Sequence, residues 1–187
     1  MPVKLIKPRR FGDDRGWFVE TYNAGRYPGL GVDVTFVQDN HSMSRDVGVL
    51  RGLHYQTRPH GQDKLVRCVR GAIWDVAVDI RRGSPTFGKW VAAELTEENG
   101  HQLFVPIGFA HGFVTLLPNT EVEYKCSDLY SPPNEGGVIW NDPTIALPWP
   151  LPPDGPTLSP KDEILPPLDE ATTPFDYDGQ PLEPIDA

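Results

Sequence analysis

Apolar and polar residues alternate over residues 72–80: Ile73, Asp75, Ala77 and Asp79 point one way from an extended backbone, and Trp74, Val76, Val78 and Ile80 point the other. Such a strand has one acidic face, suited to look into a polar cavity. Further short runs, β-branched or aromatic and bounded by Gly, Pro, Asn or Asp, lie at residues 35–38, 64–69, 89–95, 102–105, 112–117, 120–126 and 137–140. Helical periodicity is scarce: residues 94–100 offer one turn, and residues 23–30 are interrupted by Gly25, Pro28 and Gly29. The pattern predicts an all-β fold, an antiparallel sandwich or barrel.

From Leu147 onward the composition changes. Eleven of the 21 prolines fall in the last 40 residues, which predicts an extended arm, because each proline removes a backbone donor and fixes φ. A length of 187 residues without repeats fits one domain. The formal net charge of −9 is unevenly spread: residues 154–187 hold nine acids against one base, whereas the first 153 residues hold 17 acids and 16 bases. An acidic chain is unsuited to general nucleic-acid or anionic-membrane binding, which needs a basic surface to displace counterions. A local anion site in the near-neutral body remains compatible with it. Cys68 and Cys126 lack the short spacing of a zinc site or disulfide scaffold, so a cytoplasmic setting is expected. Residues 1–16 are charge-rich, without the apolar core of a signal peptide, and no apolar stretch approaches the roughly 18 residues of a membrane span.

The most specific local pattern is Gly100-His-Gln-Leu-Phe-Val-Pro106-Ile-Gly108-Phe-Ala-His111. It resembles the second motif of the cupin superfamily, which brings its histidine into a small β-barrel. Taken alone, His111 reads equally well as a packed histidine between Phe109 and Phe113; the full spacing favours a functional one. The first cupin motif, His-x-His followed by Glu, corresponds here to Gly52-Leu-His54-Tyr-Gln56 and then Lys64. Gln56 replaces one imidazole and Lys64 replaces the carboxylate, so a divalent cation would meet an ammonium where it needs an anionic oxygen. No metal and no other cofactor is expected. Two imidazoles and a fixed cation suit proton abstraction beside a carbonyl, with the cation stabilising the enolate oxygen. Lys64 read alone is an ordinary surface lysine; its place at the head of Leu65-Val66, in the slot of a metal ligand, argues for the site.

Longer stretches carry a closer likeness. Phe11-Gly-Asp-Asp-Arg15-Gly-Trp-Phe-Val-Glu20, Gln38-Asp-Asn40-His-Ser42, Gly48-Val-Leu-Arg51-Gly-Leu-His54-Tyr-Gln56, Lys64-Leu-Val, Ser84-Pro-Thr-Phe-Gly88 and Leu158-Ser-Pro-Lys161-Asp162 resemble the dTDP-4-dehydrorhamnose 3,5-epimerase family. The resemblance implies a cupin-type jelly roll, with a single domain over residues 1–168 that includes the start of the Pro-rich C-terminal arm, then an acidic tail over residues 169–187. It implies a homodimer with residues exchanged across its interface, and a dTDP-sugar substrate inverted at C3 and C5 beside a C4 ketone. By the same resemblance His54 is the base, Asp162 orients it, Lys64 stabilises the enolate and Tyr124 returns a proton on the opposite face. Arg15 and Arg51 match phosphate- and nucleotide-contacting positions, Gln38 and Asn40 amide donors, Glu20 an acceptor toward thymine, and Phe11 and Tyr130 aromatic positions around the nucleoside. Phe11, Arg15 and Glu20 are among those expected to arrive from the partner subunit. His111, Glu135 and Lys161 fall with the substrate-binding positions.

Without the resemblance, Tyr124 is a strand aromatic for the core and Asp162 a solvated acid of the arm. His60 and His101 read as exposed loop histidines, His41 has no evident role, and Arg9, Arg10, Arg81 and Arg82 read as solvated surface charges. The competing functional readings are an epimerase that inverts one centre of another dTDP-4-keto sugar and a non-catalytic sugar-binding cupin; retention of Tyr124 favours the double epimerase. Because Lys64 stands in the slot of an anionic ligand, exhaustive chelation is expected to leave turnover unchanged. Loss of activity restored by an equivalent of zinc or manganese would overturn that expectation.

Overall fold

The computed structural model describes residues 1–185, so the last two residues of the expected acidic tail lie outside the described residues. The strands are β1 (Lys4–Ile6), β2 (Arg10–Asp13), β3 (Gly16–Val19), β4 (Gln38–Ser44), β5 (Leu50–Gln56), β6 (Lys64–Arg70), β7 (Ala72–Asp79), β8 (Trp90–Thr96), β9 (Gln102–Val105), β10 (Phe109–Thr115), β11 (Thr120–Cys126) and β12 (Glu135–Gly137). Two five-stranded sheets form, ordered β1-β9-β6-β11-β4 and β12-β5-β10-β7-β8, with β2 and β3 as a separate hairpin. Strand neighbours pair antiparallel throughout. The result is the expected all-β jelly roll of cupin type. Among the described residues, no helix is long and apolar enough to cross a membrane.

The alternation over residues 72–80 decides what β7 faces. Ile73 and Ala77 join the cluster between the sheets with Val66, Leu95, Leu103, Val105, Phe113 and Val122. Val76, Val78 and Ile80 join a second cluster with Val138, Ile145, Trp149, Leu168 and Phe175. The Pro-rich arm is mostly extended, interrupted by turns at residues 153–154 and 168–170 and by a 3-10 turn at Asp162–Ile164. It lays its apolar side chains on the outer face of the second sheet, so that sheet is buried on both sides. Trp74 meets Trp90 and Trp149 edge to face at ring separations of 5.9 and 5.3 Å. On the outer face of the first sheet, Tyr27 and Val32 pack with Ile6, Leu65 and Phe104.

Several element boundaries differ from the sequence pattern. The strand expected at 35–38 is instead β4, starting at Gln38, and β5 was not anticipated at all. Both turn polar side chains inward, so neither shows the apolar alternation of a core strand. The run at 137–140 is strand only up to Gly137, and residues 94–100 end β8 in a turn rather than a helix.

Arg81 corrects a second expectation. It is not solvated but 2 % exposed. Its guanidinium grips Asp79 through Nε at 2.9 Å and Nη2 at 2.7 Å, and Nη1 reaches Asp178 in the C-terminal segment at 2.7 Å. Asp79 also accepts from Ser84 and Thr86, each at 2.7 Å. Burial opposes the charge on Asp79, but these donors outweigh it and hold the carboxyl below its usual 3.8. Arg10 is likewise half-buried, bonded to the Glu97 and Glu98 carbonyls. Gly108 of the motif makes the Arg81 clasp possible: its φ is 95°, and a Cβ there would stand 2.7 Å from the Arg81 stem. Removing one member of a fully buried pair strands its partner, so Arg81→Met is expected to lower unfolding free energy by about 3–5 kcal/mol. Asp178→Asn, at a half-exposed contact, is expected to lower it by about 1 kcal/mol or less. Urea denaturation measures both; equal effects would show that the tail contact, not the buried pair, dominates.

Candidate active site

Toward β5 and β12 the apolar interior gives way to polar side chains. Two adjoining clefts of about 200 and 210 Å³ share His54, Lys64 and Tyr124. The first adds Ser42, Arg51, His111, Phe113, Ser159, Lys161 and Asp162. The second adds Gln38, Asn40, Gln56, Tyr130 and Glu135, among others. A further groove on the outer face of the first sheet, lined by His41, Arg67 and Lys125, contains neither His54 nor Lys64.

A regular strand would send Arg51 and His54 to opposite faces. In β5, His54 pairs with His111 and Arg51 with Phe113, so three steps of β5 match two of β10. That extra residue turns both Arg51 and His54 into the first cleft while Leu50, Leu53 and Tyr55 enter the outer core. Gly52 permits the irregularity. Its φ is 122°, and a Cβ would lie 2.7 Å from both the Gly112 Cα and the His111 carbonyl oxygen.

His54 is held from behind by the arm: its Nε2 lies 2.5 Å from Asp162 Oδ1. Asp162 is 3 % exposed, and its Oδ2 accepts from Ser159 Oγ at 2.9 Å. Burial would raise its pKa, but the bond and charge of His54, with the Ser159 hydroxyl, outweigh that and hold the carboxyl below 3.8. An ionised carboxylate only accepts, so Nε2 of His54 carries a proton, and in the neutral ring Nδ1 keeps the lone pair. Tyr124 and Lys64 come from the opposing sheet, on β11 and β6. Burial pushes the Tyr124 phenol above its usual 10, with Arg51 pulling the other way. Burial likewise lowers the Lys64 ammonium, opposed by Cys126, Asp75 and Glu135.

His111 enters beside His54 with its Nε2 2.7 Å from Asp75 Oδ1. Glu135 and Lys161 form an ion pair at the cleft edge. Gln38 accepts from the Tyr130 backbone N–H at 2.8 Å and donates to Asn40 at 3.2 Å. Gln56, in the slot of a metal-binding imidazole, is occupied by backbone: it accepts from Ser131 N–H at 2.7 Å and donates to the His60 carbonyl at 2.7 Å. This donor set, with an ammonium in the carboxylate slot, is poorly suited to a cation.

Three expected residues lie outside the clefts of this single chain. Phe11 stands half-exposed on the β2–β3 hairpin. Arg15 at its turn pairs with Asp13 at 2.5 Å, with its side chain 90 % exposed. Glu20 bonds Asn23 at 3.0 Å and Arg26 at 3.1 Å. Conversely, Asp75 and Ser159 belong to the site's support and were not singled out from sequence. The acidic face of residues 72–80 was the available signal for Asp75, and the Leu-Ser-Pro-Lys-Asp stretch for Ser159.

The family model described as dTDP-4-dehydrorhamnose 3,5-epimerase matches residues 2–170. The protein of that name from Sinorhizobium fredii is 51 % identical over 175 residues, 94 % of this chain and 89 % of the relative. The solved dTDP-4-dehydrorhamnose 3,5-epimerase from Bacillus anthracis, with TDP and PPi bound, is 52 % identical with a TM-score of 0.85, covering 88 % of this chain and 93 % of its own. The dTDP-6-deoxy-D-glucose-3,5-epimerase of Legionella pneumophila, in complex with dTDP-4-keto-L-rhamnose, is 46 % identical with a TM-score of 0.90, covering 95 % and 94 %.

The bulge at Gly52 generates a direct test. Gly52→Ala is expected to destabilise the protein by at least about 2 kcal/mol, through a strained positive φ and a backbone clash, and to cut turnover because Arg51 and His54 lose their common face. Thermal melting and steady-state kinetics report the two effects; wild-type values in both would refute the account of β5.

Proposed function

The chain belongs to the dTDP-4-dehydrorhamnose 3,5-epimerase family, and on that footing we propose that it converts dTDP-4-dehydro-6-deoxy-D-glucose to dTDP-4-dehydro-L-rhamnose, a step toward dTDP-L-rhamnose. The observation that carries this reading is the placement of His54, backed by Asp162, on one sheet and of Tyr124 with Lys64 on the other, all lining one cavity. Inversion at carbon needs a base on one face and a proton donor on the other, and two opposed sheets supply both.

His54 Nδ1 takes the proton from C3 or C5, and the C–H electron pair moves into the enolate with its charge on the C4 oxygen. Lys64 stabilises that oxygen. The Tyr124 O–H then protonates the carbon from the other side. His54 releases its proton to solvent and the tyrosinate takes one up, so the chain returns to its starting state with one C–H bond broken and one formed. Burial keeps the phenol protonated until it is needed, and Arg51 favours the transient tyrosinate.

Arg51 and Lys161 supply cations for the pyrophosphate from this chain, and Tyr130 offers a half-exposed ring to the nucleoside. Phe11, Arg15 and Glu20 of the partner subunit complete the dTDP site in a homodimer. The projecting, aromatic-rich β2–β3 hairpin, with Trp17 and Phe18 also exposed, supports that exchange. Two free, buried thiols, Cys68 and Cys126, fit work in the cytoplasm.

NMR of the substrate with enzyme in deuterated water tests the reading, with deuterium expected at both C3 and C5. Incorporation at one carbon alone would establish a single-centre epimerase, and binding without exchange a sugar-binding protein. His54→Ala is expected to lower kcat at least about 100-fold, whereas Tyr124→Phe is expected to slow inversion more than proton exchange. Wild-type turnover by His54→Ala would remove the base assignment.

A further inference from the structure

We infer that Gln56 is a positioning residue: with Gln38 and Gln62 it clamps the backbone of residues 128–131 and so fixes the Tyr130 ring at the edge of the second cleft, where the ring receives the nucleobase of the ligand. The ligand part of this inference rests on the nucleotide-sugar reading of the cleft.

The core does not hold the loop that carries Tyr130. None of residues 127–134 is buried, and Leu129 and Tyr130 are 60 % and 54 % exposed. The backbone groups of residues 128–130 have no backbone partner among the described residues. A segment with so little apolar contact opens easily unless polar bonds close it. Here three glutamines do. Gln62 Nε2 donates to the Asp128 carbonyl at 2.8 Å, and Gln56 Nε2 donates to the Leu129 carbonyl at 3.2 Å. Gln38 Oε1 accepts from the Tyr130 N–H at 2.8 Å, and Gln56 Oε1 accepts from the Ser131 N–H at 2.7 Å. Each of four consecutive residues is thus bonded to a glutamine side chain, from β4, from the end of β5 or from the loop that follows β5. Ser127 and Asp128 have further ties, to Asp63 and His60. Over residues 129–131 the bonds that join the loop backbone to the strands are those of Gln38 and Gln56.

Gln56 is the centre of this clamp. It is 5 % exposed, and its second Nε2 proton goes to the His60 carbonyl at 2.7 Å. Both donors are therefore engaged by backbone, so it has no proton to offer a ligand and acts through the loops it joins. An amide in the slot of a metal-binding imidazole thus serves to hold Tyr130, which lines the same cleft. A ring fixed before the ligand arrives spares the complex the cost of ordering it. Loss of the clamp consequently weakens binding more than the chemical step, because His54, Lys64 and Tyr124 stand on paired strands and not on the loop.

Gln56→Met keeps the length of the side chain and removes all three of its bonds. In the full-length protein, calorimetric titration with dTDP is expected to show binding weakened about tenfold, the scale of one stacked nucleobase, and steady-state kinetics a rise in KM larger than the fall in kcat. Tyr130→Ala is expected to weaken dTDP to a similar extent, and Gln56→Met to add nothing in that background. A packing role alone would make the two effects multiply, and that result would overturn the inference. Amide exchange in ligand-free protein reads the clamp itself: Gln56→Met is expected to speed exchange at Tyr130 and Ser131 at least about tenfold while β11 keeps its rates. Unchanged exchange at Ser131 would refute the clamp. If exchange accelerates but neither variant alters dTDP affinity, the nucleotide reading of Tyr130 fails and the clamp stands. If Gln56→Met does not fold, exchange in the wild-type protein decides: protected Tyr130 and Ser131 amides support the clamp, and exchange at the rate of an open chain refutes it.

Discussion

Ionised groups inside a β-sandwich must be paired where they stand, and that constraint organises this molecule. Between the two sheets lie Lys64 and two imidazoles, each imidazole bonded to a buried carboxyl group. Each charge would be expelled or neutralised if left alone. The carboxyl groups come from different elements, Asp75 from β7 and Asp162 from the arm. The cavity is polar because these pairings make it affordable, and the remaining interior is closed by apolar side chains.

The arm consequently has two roles that cannot be separated. Its Trp149 and Leu168 cover the outer face of the second sheet, and its Asp162 holds the ring of His54. Packing of the arm thus fixes the geometry of the base. The same economy recurs at Arg81, where a buried ion pair is bridged to the C-terminal segment through Asp178. Prolines suit such a segment, since an extended backbone with few donors can lie on a finished sheet without leaving many unsatisfied groups.

The sequence was least legible where the site is. Strands with apolar inner faces, such as β7, β9 and β11, stood out from their alternation. In β4 the inward residues are Gln38, Asn40 and Ser42, and in β5 they include Arg51 and His54. A strand that faces a polar cavity on one side and a groove or arm on the other has no apolar period to read. Similarity of motifs, not periodicity, located His54, Tyr124 and Asp162. Arg81 was misjudged because an arginine beside another arginine reads as solvated unless its buried partner is known.

By itself the sequence determined the all-β class, the alternation over residues 72–80, the Pro-rich arm and the residue types available for proton transfer, because alternation, proline content and motif spacing are local properties of the chain. Only the tertiary structure decided which of those residues meet. Arg51 and His54 share a face because β5 carries one extra residue opposite β10, and Asp162 reaches His54 across 108 positions of chain. Asp75 meets His111 because β10 pairs with β7 in the same sheet. Those contacts depend on register and on long-range packing, and neither is encoded in any short stretch of residues.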